Sequence, residues 1–279
     1  MTTRIAYLGP QGTFCEEAAF SFVNIAGMEA ELVPYPTVSD CAEKVEDSQA
    51  DLALIPLENS LEGSVPETLD VLTTSLDLAI VAELVKEIQH NLLSTHEDIG
   101  SIRRVYSHPQ ALAQCRRFLR QHLPEAEAVP ALSTAEAAAI ASRESCGTAA
   151  LGSIRAAEHY RLHVLSAGVQ DSSSRTRFIV LGKEKESYDR PTRTSVLFAV
   201  KNEAGSLFRV LQAFAEHQVN MTRIESRPAK SQLGDYIFFV DLDGTKEDAG
   251  VKAALRQAAH EAVMLKLLGS YPVLGRENA

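Results

Sequence analysis

Four cysteines in 279 residues, at positions 15, 41, 115 and 146, stand too far apart for a CxxC pair or a Cys/His metal spacing. Reduced thiols are therefore expected, with no disulfide framework. The eight histidines form no HExxH pattern, so a metal site is not expected, and the sequence offers no motif for another cofactor. No apolar run approaches the roughly 20 residues a membrane helix needs. The opening MTTRIAYLGP passes straight into a strand-like stretch without signal-peptide anatomy, which points to a cytoplasmic protein with no membrane partner. The loop GPQGTF holds Gly9 and Gly12 but completes neither GxGxxG nor a GKS or GKT phosphate loop, which disfavours nucleotide. Basic residues are in deficit, 27 Lys and Arg against 37 Asp and Glu, for a formal net charge of −10. Nucleic acid is thereby an unsuitable partner. An anionic ligand would need donors and Arg or Lys gathered in one cleft. No repeat and no low-complexity tract appears.

What is present reads as a globular protein of one or two domains, with 45% hydrophobic and 23% charged residues. Through residue 183 short apolar runs alternate with helix-like stretches, the mark of an α/β fold with a mainly parallel sheet. Strands are expected at Arg4–Leu8, Asp51–Leu57, Leu78–Val85, Gln89–Ser94, Arg104–Tyr106 and Gly147–Leu151. Helices are expected near Glu16–Ile25, Pro66–Thr74, Ala111–His122 and Ser153–Tyr160, and over STAEAAAIAS, which Ser133 or Thr134 caps. Residues 184–194 are charged, contain Pro and read as a linker. From 195 to 279 the order becomes βαββαβ, a ferredoxin-like module.

In open α/β sheets ligands bind beyond the carboxyl ends of the strands. Four loops stand there: GPQGTF, ENSLEGS, SHPQ and GSIR. Together they offer neutral donors suited to carboxylates, although each alone is ordinary turn chemistry. His108 in SHPQ is either a general base or a loop histidine before a proline, and no carboxylate is placed by sequence to orient it. VQDSSSRTRFIVLG sets a hydroxyl, Thr176, beside a fixed charge, Arg177, where a polar loop becomes a buried strand.

GPQGTFCEEAA, IPLENSLEGSVPETLDVL, SHPQALAQC, STAEAAAIA, AALGS and TRFIVL occur in the order seen in prephenate dehydratases, which this chain resembles from Ile5 to about Tyr271. AGSLFRVL and ESRP are similar to the signature segments of the regulatory ACT domain. The resemblance implies a two-lobed, periplasmic-binding-protein-like catalytic domain over 1–183, its inserted lobe at about 78–165, and an ACT domain over 195–279. It implies conversion of prephenate to phenylpyruvate with loss of carbon dioxide and water in phenylalanine biosynthesis. Arogenate dehydration and a non-catalytic amino-acid sensor are the alternatives. By the motif match Thr176 donates a hydrogen bond or proton to the departing hydroxyl. Arg177 is either a carboxylate partner or half of a structural ion pair. Asn59 and Ser60 donate to carboxylate or keto oxygens, and Glu58 either orients Asn59 or acts as a buried acid. Thr13, Ser107, Gln110 and Gln114 fall on carried-over substrate-binding positions, as do Ser133 and Thr134, which capping alone also explains. Gly205, Ser206 and Leu207, with Glu225, Ser226, Arg227 and Pro228, match the segments that sense phenylalanine across a dimer interface, so a homodimer or homotetramer is implied. The chain departs from the family pattern at Cys15, Ser174, Ala204 and Ser206, which bear on substrate and effector preference.

Overall fold

The computed structural model describes residues 2–75, 77–144, 147–183, 190–229 and 235–275. Cys146 and residues 184–189 of the expected linker lie outside them. In chain order the elements are β1 (Thr3–Leu8), α1 (Phe14–Ala26), β2 (Ala30–Tyr35), α2 (Val38–Glu46), β3 (Leu52–Asn59), β4 (Gly63–Ser64), α3 (Pro66–Thr74), β5 (Ala79–Ile88), β6 (Asn91–Ser94), β7 (Arg104–Ser107), α4 (Pro109–Gln114), α5 (Arg116–His122), β8 (Glu127–Pro130), α6 (Thr134–Arg143), β9 (Thr148–Gly152), α7 (Ile154–Tyr160), β10 (His163–Ser166) and β11 (Ser174–Gly182). There follow β12 (Arg193–Ala199), α8 (Ser206–Glu216), β13 (Met221–Pro228), β14 (Tyr236–Asp243), α9 (Ala249–Glu261), β15 (Met264–Tyr271) and β16 (Val273–Leu274). The chain divides into two compact units, Met1–Val71 with Leu84–Phe178, and Leu72–Glu83 with Ile179–Ala279. Among the described residues no helix is long and apolar enough to cross a membrane.

The first unit holds two sheets. In one, β11, β3, β1 and β2 lie side by side, with β1 parallel to both β2 and β3. Its β3 is buried for most of its length, and the short β4 folds back on it to pair Asn59 with Gly63. The other runs β10-β6-β9-β7-β8 and is mixed rather than mainly parallel. β7 is parallel to β8 and β9, whereas β6 runs against both of its neighbours. No α-helix lies between β6 and β7, the next strand of this sheet along the chain, so no parallel crossover joins them. Alternation along this sheet feeds two cores. Leu92, Val105, Ala149 and Leu151 pack with Cys115 on one face, and Leu93 and Ala150 pack with Ala137, Ala138, Ala141 and Ala156 on the other.

Local chemistry sets the helix ends. Thr13 caps α1 by accepting from the Glu16 N–H at 3.3 Å, and Gly27 closes it in the left-handed region, φ 61°. Thr37 and Asp40 form a reciprocal capping box on α2. Ser133 caps α6 through the Glu136 N–H at 3.0 Å. The single helix expected at Ala111–His122 is two, α4 and α5, divided at Cys115. Gly12 (φ 84°) accepts a 2.8 Å hydrogen bond from the buried Ser153 hydroxyl, which ties the loop after β1 to the start of α7. A Cβ at Gly12 would lie 3.2 Å from the Ala156 backbone.

The second unit contains the expected βαββαβ module, an antiparallel sheet in the order β13-β14-β12-β15. Val196, Phe198, Val240 and Leu242 pack against Val210, Phe214, Val251 and Ala254 of α8 and α9. Elsewhere in the unit, buried polar side chains pair with one another. Arg193 donates to both oxygens of Glu83, at 2.6 and 2.8 Å, with both residues at most 5% exposed. Ser195 donates to Asp241 at 2.5 Å and shares a hydrogen bond with Tyr271. Lys266 donates to the carbonyls of Leu72 and Ser75 at the end of α3.

Candidate functional site

A cavity of about 280 Å³ opens within the first unit, between its two sheets. From the β1–β3 side it is lined by Phe14 and Cys15 of α1, Pro56 and Asn59 of β3, Val65, Ile88, and Thr176 and Phe178 of β11. From the other side come His90, His108, Leu132, Ser133 and Thr134, with Gln110, Ala111 and Gln114 of α4. None of these is Asp, Glu, Lys or Arg. The lining is apolar, punctuated by amides, hydroxyls and imidazoles, and it includes the starts of α1 and α6, whose N-termini carry partial positive charge.

Thr176 and Asn59 form its centre. On β11 Ser174, Thr176 and Phe178 face one way and are buried, while Arg175 and Arg177 face the other. Asn59 ends β3, where its side-chain nitrogen donates to Ser174 Oγ at 3.0 Å and to Thr176 Oγ1 at 2.9 Å. Its side-chain oxygen accepts from the N–H groups of Leu61 and Glu62, at 2.9 and 3.2 Å. Both hydrogens and both lone pairs of the amide are thus committed. Because Thr176 accepts from Asn59, its own O–H is left to donate to whatever occupies the cavity. Ser174 serves as the second anchor for this amide.

Arg177 and Glu58 are not on the cavity wall. They pair with each other, Nη1 to Oε2 at 3.0 Å, the contact that the ion-pair reading of Arg177 expects. The pairing follows from alternation: each is the strand neighbour of a cavity residue and points oppositely. Ser60 is exposed and accepts from the Arg175 N–H at 3.0 Å, which clips the end of β3 to β11. Thr13 spends its hydroxyl on the α1 cap and on the Leu8 carbonyl. Ser107 is fully buried and donates to the Leu151 carbonyl at 2.8 Å, a lock between β7 and β9. Gln110, Gln114, Ser133 and Thr134 do reach the cavity. His108 lines it too, with Nδ1 accepting from the Gln110 N–H as the cap of α4.

Sequence reasoning passed over His90, Phe14, Val65, Leu132 and Ile88. The apolar ones carry no signal beyond core composition. His90 stands between β5 and β6, a polar group at a strand junction. Its ring meets Phe14 edge-on at 5.2 Å, and burial lowers its pKa while the hydrogen bond with Gln114 opposes that shift. Burial pushes the Cys15 thiol up to about 12, with nearby Cys41 adding to the effect.

In the second unit Gly205 adopts φ 83° ahead of α8, Ser206 is buried and accepts from Arg209 at 3.1 Å, and Leu207 packs on the helix–sheet core. Along β13, Glu225 and Arg227 are half-buried while Ser226 and Pro228 are exposed, and Glu225 pairs with Arg223.

Residues 5–186 match the family model described as prephenate dehydratase, and residues 194–260 match that of the ACT domain. The bifunctional chorismate mutase/prephenate dehydratase of Aquifex aeolicus is 41% identical over 270 residues, 96% of this chain and 73% of that protein. The prephenate dehydratase of Methanocaldococcus jannaschii is 37% identical over 278 residues, 98% and 99% of the two chains. Among solved structures, the prephenate dehydratase of Arthrobacter aurescens in complex with L-Phe superposes with a TM-score of 0.89 at 33% identity, covering 99% of this chain and 92% of that one. GqqA, described as a quorum quenching acylase, superposes with a TM-score of 0.88 at 28% identity, covering 99% and 100%.

Proposed function

This chain belongs to the prephenate dehydratase family, and on that premise we propose that the cavity between the two sheets of its first unit is where prephenate loses carbon dioxide and water. The bond from the ring to its carboxylate breaks, its electrons move into the ring, and the opposite C–O bond breaks as hydroxide departs with a proton. Prephenate dianion plus one proton thus gives phenylpyruvate, carbon dioxide and water. Aromatisation drives the step, and no redox change occurs.

One observation carries the assignment: the Asn59 amide, held at all four of its hydrogen-bonding positions, donates to Thr176 and leaves the Thr176 proton for the cavity. A threonine hydroxyl is too weak an acid to ionise at neutral pH. Its contribution is a hydrogen bond aimed in advance at the oxygen where charge develops. The carboxylates meet neutral donors, Gln110, Gln114, Ser133 and Thr134, together with the starts of α1 and α6. Apolar Phe14, Pro56, Ile88 and Phe178 flank the ring and limit water. Arg177 acts from outside, by bracing β11 against Glu58.

The same proposal assigns feedback control by phenylalanine to the ACT domain, through Gly205–Leu207 and Glu225–Pro228, in an assembly of at least two chains in the cytoplasm. The similar Arthrobacter aurescens protein, whose complex holds L-Phe, supports that effector. The decisive experiment follows phenylpyruvate formed from prephenate by wild type and Thr176→Ala, with and without phenylalanine, and with arogenate in parallel. Turnover of prephenate by wild type, lost in the variant and modulated by phenylalanine, is expected. A wild type inert towards prephenate would sink the reading, and activity on arogenate alone would replace the substrate.

A further inference from the structure

The cavity holds a titratable side chain that the reaction above leaves unused. His90 is 4% exposed, its Nε2 lies 3.2 Å from Gln114 Oε1, and its Nδ1 is buried without a hydrogen-bond partner. A carbonyl oxygen only accepts, so the hydrogen between the two side chains belongs to Nε2. Nδ1 is then bare. An imidazolium would bury a second N–H with nothing to receive it, and burial alone already disfavours the charged ring. The edge-on contact with Phe14, 87° between ring planes, holds the imidazole in this orientation.

The consequence falls on Gln114. With Oε1 held by His90, its NH2 group is the end left for a ligand at the cavity wall. An amide that turned over would present its oxygen to the same ligand, and a carboxylate would then face a lone pair instead of a donor.

We propose that His90 is a positioning residue: by donating from Nε2 to Gln114 Oε1 it fixes the sense of that amide, so that its NH2 group donates to a carboxylate oxygen of the substrate. This rests on reading the cavity as the prephenate site. His90 itself transfers no proton.

The test uses the full chain and two independent readouts. In steady-state turnover of prephenate, His90→Phe keeps the ring volume but removes the donor. Its KM rises about tenfold or more, the worth of a hydrogen bond to a charged group, while kcat changes by less than about threefold. Gln114→Leu shows the same split, and the double variant is no worse than either alone. His90→Gln, whose amide nitrogen reaches the position of Nε2, recovers most of the lost affinity. A collapse of kcat at constant KM, additive losses in the double variant, or no rescue by His90→Gln overturns the proposal. The second readout needs no variant: nitrogen-15 shifts of the His90 ring in the wild-type protein near pH 7. The Nε2–H tautomer is expected, and an Nδ1–H tautomer or an imidazolium overturns the proposal even where His90→Phe fails to fold. A wild type that does not turn over prephenate refutes the site reading instead, and the ring tautomer still decides the geometry.

Discussion

Thr176 and Arg177 are adjacent in sequence, and a strand sends adjacent side chains to opposite faces. That one rule divides the Thr-Arg pair into a cavity hydroxyl and an external brace. Thr176→Ala should lower kcat for prephenate by about a hundredfold to a thousandfold, the usual worth of one preorganised donor. Thr176→Ser, which keeps the hydroxyl, should retain most of it. Initial-rate measurements at saturating substrate decide between them. Arg177→Met should do the reverse and lower the thermal midpoint while KM for prephenate stays within about threefold, as expected of a group off the cavity wall. Equal losses of KM and midpoint would return Arg177 to the ligand. The legible part of the site was its motif residues, above all Thr176 and Asn59. The illegible part was direction: Glu58 and Arg177 look as eligible as their neighbours until strand alternation is imposed. His90 was invisible for a different reason. Its role depends on Gln114, 24 residues on, and no local pattern links the two.

At the scale of elements a cap needs only a few adjacent residues, and Ser133 with Glu136 reads as one in the sequence before it is seen as a hydrogen bond. The Thr13 cap over Glu16, and the Thr37–Asp40 box of α2, a helix not expected from the sequence, appear only in the structure. The same bonds limit what those hydroxyls do for a ligand. Ser133→Ala should cost about 1 kcal/mol in a urea titration, a cap's usual value, and a loss of activity with no loss of stability would restore Ser133 as mainly a ligand donor. The strands that escaped notice share a physical cause. β2, β8 and β10 are short or edge strands with few buried residues, and two of them contain proline, at Pro34 and Pro130. Their hydrophobic pattern is weak because little of each strand is covered. The buried β3 and β11 and the βαββαβ order were plain for the opposite reason.

For the whole molecule, stability draws on pairs of residues that only the finished fold assembles. Glu83 and Arg193 are such a pair, 110 residues apart and nearly inaccessible. Arg193→Met should destabilise by about 3–5 kcal/mol, whereas Glu83→Leu combined with Arg193→Met should recover most of that loss, since a buried pair replaced by apolar groups is close to neutral. Chemical denaturation of the two variants tests it, and a double variant as weak as the single one would refute it. The described thiols set an alkaline limit. Burial pushes Cys15, Cys41 and Cys115 up to about 12. The unfolded chain therefore releases these protons from about pH 9 upward while the folded chain keeps them, so stability falls as pH rises from there towards 12. Cys15→Ala should flatten that fall in midpoint against pH, and an unchanged slope would assign it elsewhere. The hydrogen bond from Asn59 to Thr176 spans 117 residues. It also dates the appearance of activity during synthesis: a growing chain can bury hydrophobic surface, cap helices and pair β1 with β2 long before it has anything to offer a substrate. No truncated product that ends before β11 carries Thr176, the hydroxyl proposed to donate to the substrate. Recovered catalysis after dilution from denaturant therefore serves as a clock for the docking of β11 beside β3 rather than for collapse.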